Sequence, residues 1–185
     1  MAETVLEKSV VLIDAQNVYG GWKAYCDSNG TQEKIDYVKL IKKLSEGTNL
    51  LRAYFYDGIP ENIPKNKKNF FDALQHHGIQ LRTKILKTRE RTCPKCGSIE
   101  RRDVQKGVDV SLATDILRHA WQNTCAVCIV VSGDEDYKDA IECAKDKGIR
   151  VIVASFKRSL SAELRNVDKV ILLDDIFDDI KMTKQ

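Results

Sequence analysis

The sequence predicts an α/β fold, a mostly parallel central sheet flanked by helices, and three observations carry that prediction. Two short apolar runs, Val10-Val11-Leu12-Ile13 and Cys128-Ile129-Val130-Val131, have the character of strands buried on both faces. Such runs are followed by segments whose apolar residues recur at helical spacing. Strands alternating with helices of this size imply right-handed crossovers between parallel neighbours.

Taken in order, the first strand covers about Ser9 to Asp14. From Val18 to Asp27 the residues Val18, Trp22 and Tyr25 keep helical spacing until Ser28-Asn29-Gly30 breaks it. A helix is expected from about Glu33 to Ser45, with Ile35, Val38, Ile41 and Leu44 on one stripe and Gly47 closing it. Asn49 to Tyr56 reads as a second strand ending in Asp57-Gly58, and Pro64 suits the start of a helix running to His77. Ile79 to Leu86 alternates apolar and basic residues, as an edge strand does. A helix from Val108 to Trp121 precedes the central strand, which leads into the amphipathic segment Asp136 to Lys147. Ile149 to Ala154 is a further strand, Ser159 to Arg165 a short helix, and Lys169 to Leu173 a last strand before the acidic tail Asp174 to Asp179.

A chain of 185 residues fits a single domain, 1–185, able to bury a substantial core. The net charge of +3 permits nucleic-acid binding without requiring it. No long apolar run appears, so neither a signal peptide nor a membrane span is expected, and the reading is of a cytoplasmic protein. Six cysteines are too few and too unevenly placed for a disulfide scaffold.

The apolar runs share a second property: each ends in a carboxylate. Asp14 closes the first, with Asn17 just beyond, and Ser132-Gly133 turns the central strand into Asp134 and Asp136. In open α/β sheets the carboxyl edge is where ligands bind. Neighbouring strands would bring these side chains together, and like charges so close call for a divalent cation. The plainer reading of any one of them is a helix N-cap. Asp109, in the first turn of the helix after Lys106-Gly107, begins at the same edge and joins the candidate ligands. Asp115 lies six residues on, about 9 Å down the axis and off Asp109's face, and is a second-tier ligand. Carboxylates around Mg²⁺ or Mn²⁺ suit phosphodiester hydrolysis. His76, His77 and His119 fall near helix C-termini, at the opposite edge, which argues against histidine acid/base chemistry.

Three segments resemble the signature motifs of NYN-domain proteins, the LabA-like branch of the PIN-like nuclease superfamily. They are Ile13-Asp14-Ala-Gln-Asn17, Lys106-Gly-Val-Asp109-Val-Ser-Leu-Ala-Thr-Asp115 and Val131-Ser-Gly-Asp134-Glu-Asp136-Tyr137, and the stretch from Ser159 to Leu173 is similar to the end of those domains. The resemblance implies a Rossmann-like PIN/NYN fold and metal-dependent cleavage of RNA. It carries the ligand roles onto Asp14, Asp109, Asp134 and Asp136, with Asn17 in support. Lys138-Asp139 stands where that family usually has a proline after Tyr137.

Between Arg82 and Lys106 nine basic residues face three acidic ones. Within this stretch an inserted Cys-x-x-Cys arm at about 87–106 interrupts the βα alternation. Lys84, Lys87, Arg89, Arg91, Lys95, Arg101, Arg102 and Lys106 are the expected RNA contacts, since neutralised phosphates are the main sequence-independent source of affinity. A solvated charged loop is the plainer reading. Tyr19, Trp22 and Tyr137 are candidates to stack on bases. Cys93 and Cys96 have zinc-knuckle form, but structural zinc needs four ligands. Cys125 and Cys128 supply a second pair by count, yet Cys125 belongs to the other sheet edge and Cys128 is expected to be buried within the central strand. A zinc shared between two copies would bring a homodimer; a reduced or redox-active thiol pair is the other reading.

The resulting expectation is a metal-dependent endoribonuclease in which Asp14→Asn or Asp134→Asn abolishes cleavage and leaves the fold intact. The alternatives are an RNA-binding or regulatory module of the same fold without useful catalysis, and a small-molecule phosphatase, for which the basic arm would have no purpose.

Overall fold

Alternate residues of the first strand serve two different cores, and that division sets the layers of the molecule. In β1 (Lys8–Asp14), Val11 and Ile13 join one apolar cluster while Val10 and Leu12 join the other. β6 (Val127–Val131) behaves in the same way and is buried along its whole length. The computed structural model describes residues 5–92, 96, 99–104 and 107–183. Its other strands are β2 (Asn49–Ile59), β3 (Gln80–Ile85), β4 (Lys87–Thr92), β5 (Ile99–Val104), β7 (Arg150–Ser155) and β8 (Lys169–Leu172). The helices are α1 (Ala15–Asn29), α2 (Tyr37–Leu44), α3 (Lys65–His76), α4 (Val108–Trp121), α5 (Lys138–Asp146) and α6 (Phe177–Ile180).

Six strands form one sheet in the order β3-β2-β1-β6-β7-β8, and every neighbouring pair is parallel. Parallel neighbours need crossovers that cover the sheet faces. Val108, Leu112 and Ile116 of α4 and Ile141 and Ala144 of α5 close one face. Val18 of α1, Leu40 and Ile41 of α2, Phe71 of α3 and Phe177 of α6 close the other. The chain winds from β1 outward to β3, then returns beside β1 as β6 and winds the other way. The direction of winding therefore changes between β1 and β6, and the crevice at their carboxyl ends is the favoured ligand position in such sheets.

The predicted parallel sheet and the edge placement of β3 hold. Several boundaries differ for identifiable reasons. The helix expected from Glu33 starts only at Tyr37, because Asp36 caps it by accepting the Val38 and Lys39 amides and Ile35 bridges to Lys181 instead. β2 runs on to Ile59 because β3 keeps pairing with it, Asp57 to Thr83 and Ile59 to Ile85. The short helix expected over Ser159 to Arg165 is only a 3-10 turn, Ala162–Arg165, since the Ser161 amide donates to the Gly133 carbonyl rather than to a helix. The acidic tail contains α6, anchored by buried Phe177 and Ile180.

The basic arm contains β4 and β5, an antiparallel pair separate from the main sheet. Its register places Lys87, Arg89 and Arg91 at alternate positions of one strand, with Arg102 opposite Arg89 and Arg101 opposite Glu90. Cys96 lies exposed in the turn between the strands, while Cys93, Lys95 and Lys106 fall outside the described residues. No described helix is long and apolar enough to cross a membrane.

Candidate functional site

Asp14 is the last residue of β1 and also the N-cap of α1. Its Oδ1 accepts the Gln16 and Asn17 amides, both at 3.1 Å. Its Oδ2 accepts the Ser132 hydroxyl at 3.2 Å and the Tyr137 hydroxyl at 3.0 Å. The capping reading of this residue is thus correct, and the other oxygen is buried against the Ser132 and Tyr137 hydroxyls. Burial raises the Asp14 carboxyl above the usual range, and the donors from Asn17, Tyr137, Ser132 and Gln16 pull against that rise.

Ser132 follows the central strand directly, and its hydroxyl donates to Asp14 and accepts the Asp134 amide. Asp134 caps a 3-10 turn by accepting the Asp136 amide at 3.1 Å, which leaves Asp136 exposed. The turn absorbs the start of the following helix, so α5 begins at Lys138, where a proline stands in the resembled family. Asn17 reaches across from α1 to accept the Gly133 amide at 2.9 Å, tying the two strand ends together. Gly107, at φ 90°, turns the chain into α4 in a conformation that suits glycine, and Asp109 follows in the first turn of that helix.

Asp109 records the convergence of these segments. Burial raises its carboxyl first, then the negative charges of Asp14 and Asp134, and in smaller measure Asp136; the Tyr137 hydroxyl works the other way. None of these four carboxylates has an ion pair among the described residues. The group between two of them is the buried Tyr137 hydroxyl, 3.0 Å from Asp14 Oδ2 and 3.5 Å from Asp109 Oδ1. Tyr137, expected to stack on bases, is 1 % exposed and does not do so. Tyr19 is exposed, and Trp22 is held at the rim by its indole N–H on the Glu33 carbonyl.

The donors are all oxygens, in mutual repulsion, and that chemistry fits a hard divalent cation. As the side chains stand, no three of His, Cys, Asp and Glu among the described residues are close enough to hold one ion, so the expected convergence on a single point is looser than the sequence suggested.

Asp115 keeps different company from the other carboxylates. Its Oδ2 accepts the Tyr56 hydroxyl at 2.7 Å and lies 3.4 Å from Arg82 Nε, and Arg118 Nη1 donates to its Oδ1. A carboxylate engaged in this way is an anchor for cations, which corrects its second-tier ligand role. Cys125 is buried just before β6 and Cys128 within it, and burial pushes the Cys125 thiol up to about 11. The histidines also lie where expected, His76 and His119 in the last turns of α3 and α4. Zinc at Cys93 and Cys96 therefore gains no further ligands among the described residues, and the homodimer rests on that zinc alone.

Two residues near the site escaped the sequence reading. Asp57, one position past the register partner of Asp14, is raised by burial and slightly by Asp14, and is held by Lys67 at 2.9 Å. Its signal was a third strand ending in Asp. Arg158 borders a cleft of about 390 Å³ with Asn17, Asp134 and Asp136, and had no signal short of the fold.

The NYN domain matches residues 8–174 of the sequence. The chain belongs to the NYN domain family. It is similar to the low amplitude and bright protein LabA of Synechococcus elongatus, 30 % identical over 137 residues, covering 74 % of this chain and 69 % of LabA. An uncharacterised protein of Sinorhizobium fredii, y4oD, is 35 % identical over 57 residues, or 31 % of this chain and 27 % of that one. A crystal structure of a Vibrio parahaemolyticus protein of unknown function superposes with a TM-score of 0.72 at 21 % identity, over 98 % of this chain and 100 % of that one, which establishes the shared fold.

The geometry of this NYN domain bears on its stability in two places. A Cβ on Gly133 would overlap the Ser159 backbone oxygen, and no rotamer relieves a clash with backbone. Gly133→Ala is expected to cost about 1–3 kcal/mol, seen as a lower midpoint in thermal unfolding. The second place is Asp109, and there the readout is pH. Asp109 and Asp14 have raised folded-state pKa values, so the folded chain binds more protons in the window above the ordinary carboxylate value and loses stability as pH rises through it. Asp109→Asn removes the repulsion and is expected to raise the unfolding midpoint at neutral pH. Water reaches this side chain, so the gain is of the order of 0.5 kcal/mol, about 1–2 °C at this length. The gain should vanish below about pH 4, where the wild-type group is protonated too. A lower midpoint for the variant at neutral pH would contradict the repulsion.

Proposed function

We propose that this NYN domain is a metal-dependent ribonuclease that hydrolyses RNA phosphodiester bonds, with residues 1–185 as one domain and the basic hairpin as its insertion. The observation that carries the reading is Asp109: a carboxyl raised first by burial and then by Asp14, Asp134 and Asp136, which come from two other segments, with no ion pair among the described residues. Asp14, Asp109, Asp134 and Asp136 would hold Mg²⁺ or Mn²⁺, Asp14 by exchanging one of its hydroxyl donors for the ion. Such an ion, when bound, supplies a water of lowered pKa and offsets charge developing on the phosphate. Asn17 holds the Gly133 backbone in place, and the Tyr137 hydroxyl sets the spacing of Asp14 and Asp109. Lys84 and the basic positions of β4 and β5 attract the RNA backbone.

One observation favours the second reading, RNA binding without useful turnover. Asp14 already accepts four hydrogen bonds, so it has little capacity left for an ion. Incubation of the chain with single-stranded and structured RNA in Mn²⁺, with EDTA as control, separates the two. Metal-dependent fragments support the nuclease; tight binding without fragments supports the module.

A further inference from the structure

A cation cluster lies on the outer face of α4, away from the carboxylates, and the catalytic reading does not use it. Arg82 of β3 and Arg118 of α4 both form ion pairs with buried Asp115, and with Val110, Ser111 and Thr114 they line a shallow cavity of about 290 Å³. One guanidinium together with the Tyr56 hydroxyl would satisfy Asp115. Two leave the group with an excess positive charge, and both arginine side chains stay open to solvent, at 42 % and 50 % exposure.

The guanidinium groups are also held in place. Arg82 lies over the Tyr54 ring at 5.2 Å with its Nε in an ion pair 3.4 Å from Asp115 Oδ2, while Arg118 donates from Nη1 to the same carboxylate. Each keeps further N–H groups without a partner among the described residues. A planar fork of donors on a fixed carboxylate is suited to phosphate, which it grips through paired hydrogen bonds. The Ser111 and Thr114 hydroxyls donate to the Gly107 and Val110 carbonyls, so the arginines are the donors of this cavity.

The position relates the cavity to the carboxylates. Val110 follows Asp109 directly, and Arg118 lies nine residues beyond Asp109, about 13 Å along the helix axis. Phosphates follow one another at no less than about 3.4 Å along a strand, so a separation of about 13 Å spans at most a few nucleotides. Lys84 lies two residues after Arg82 on β3, on the way to the basic hairpin. We propose that Arg82 and Arg118, held by Asp115, form a subsite for a backbone phosphate of single-stranded RNA a few nucleotides from the bond that is cut. This rests on the ribonuclease reading for the identity of the ligand.

Fluorescence anisotropy of a labelled oligouridylate, titrated in EDTA at several salt concentrations, tests the subsite without any turnover. R82Q/R118Q is expected to weaken binding about tenfold or more and to flatten the slope of log affinity against log salt by about 0.7 for each phosphate that is no longer neutralised. Unchanged affinity in a folded variant would overturn the proposal, as would weaker binding with an unchanged slope. R82K/R118K keeps both charges and loses the forks; it is expected to bind several-fold more weakly with the slope intact, and it decides the matter if the glutamine variant unfolds. Wild-type affinity in the lysine variant, or uridine monophosphate competing as well as the oligomer, would also overturn the proposal. A chain that binds through these arginines and never cleaves in Mn²⁺ sinks the nuclease and leaves the subsite standing. The converse, cleavage with binding indifferent to them, sinks the subsite alone.

Discussion

Asp134→Asn is expected to lower metal-dependent RNA cleavage at least a hundredfold with little change in unfolding midpoint. The asparagine oxygen can still accept the Asp136 amide, so the 3-10 turn survives, whereas the negative charge offered to a cation is lost. Removing one preorganised electrostatic group commonly costs 10²–10³ in rate. A second readout does not depend on turnover. Mn²⁺ at about a hundred times its Kd stabilises a protein that binds it only when folded by about 2.7 kcal/mol, and Asp134→Asn should lose most of that gain. Cleavage and Mn²⁺ stabilisation both at wild-type level would remove Asp134 from the site. Asp14→Asn, which the sequence suggests should leave the fold intact, is a poorer probe. Both Asp14 oxygens accept hydrogen bonds, and an amide nitrogen would face donors on whichever side it took, at a cost of about 1–3 kcal/mol. Loss of activity there would mix chemistry with folding.

The sheet was legible because its strands are buried on both faces, and that burial writes itself as uninterrupted apolar runs such as Val127–Val131. The site was legible in outline for a related reason: a polar residue that ends such a run must stand at the sheet edge. Asp14 and Asp134 follow from this, and Asp57 would have followed had the rule been applied to β2. What the sequence could not carry was distance across the fold. Tyr137 is an aromatic beside an acidic motif, and only the packing of the turn against β1 makes its hydroxyl a bridge between Asp14 and Asp109 rather than a stacking platform. Asp115 shares a helix with Asp109, and only the crossing of that helix over β2 and β3 shows that it meets Tyr56 and Arg82 instead of the other carboxylates. Arg118 and Arg158 carry no local signal, since a lone arginine on a helix or loop is most often solvated.

The difference between a ligand and an anchor makes Asp115 the site of the largest expected effect on stability. Asp115→Ala leaves the Tyr56 hydroxyl without its acceptor in a fully buried position and sets two guanidinium groups against each other. The unmet hydroxyl costs about 1–3 kcal/mol. Breaking a buried ion pair costs up to about 5 kcal/mol, but both arginines are half open to water and recover part of their solvation. A total near 3 kcal/mol corresponds to a midpoint about 6–12 °C lower in a chain of this length. Tyr56→Phe separates the two contributions: where the hydroxyl is the source, Asp115→Ala in the Tyr56→Phe background costs less than in the wild type. Asp115→Asn keeps an acceptor for Tyr56 and removes the charge, so at saturating RNA it should keep a cleavage rate of the wild-type order, while the two loosened arginines weaken RNA affinity. Loss of cleavage in Asp115→Asn comparable to that in Asp134→Asn, with the midpoint unmoved, would return Asp115 to the metal and overturn its assignment as an anchor.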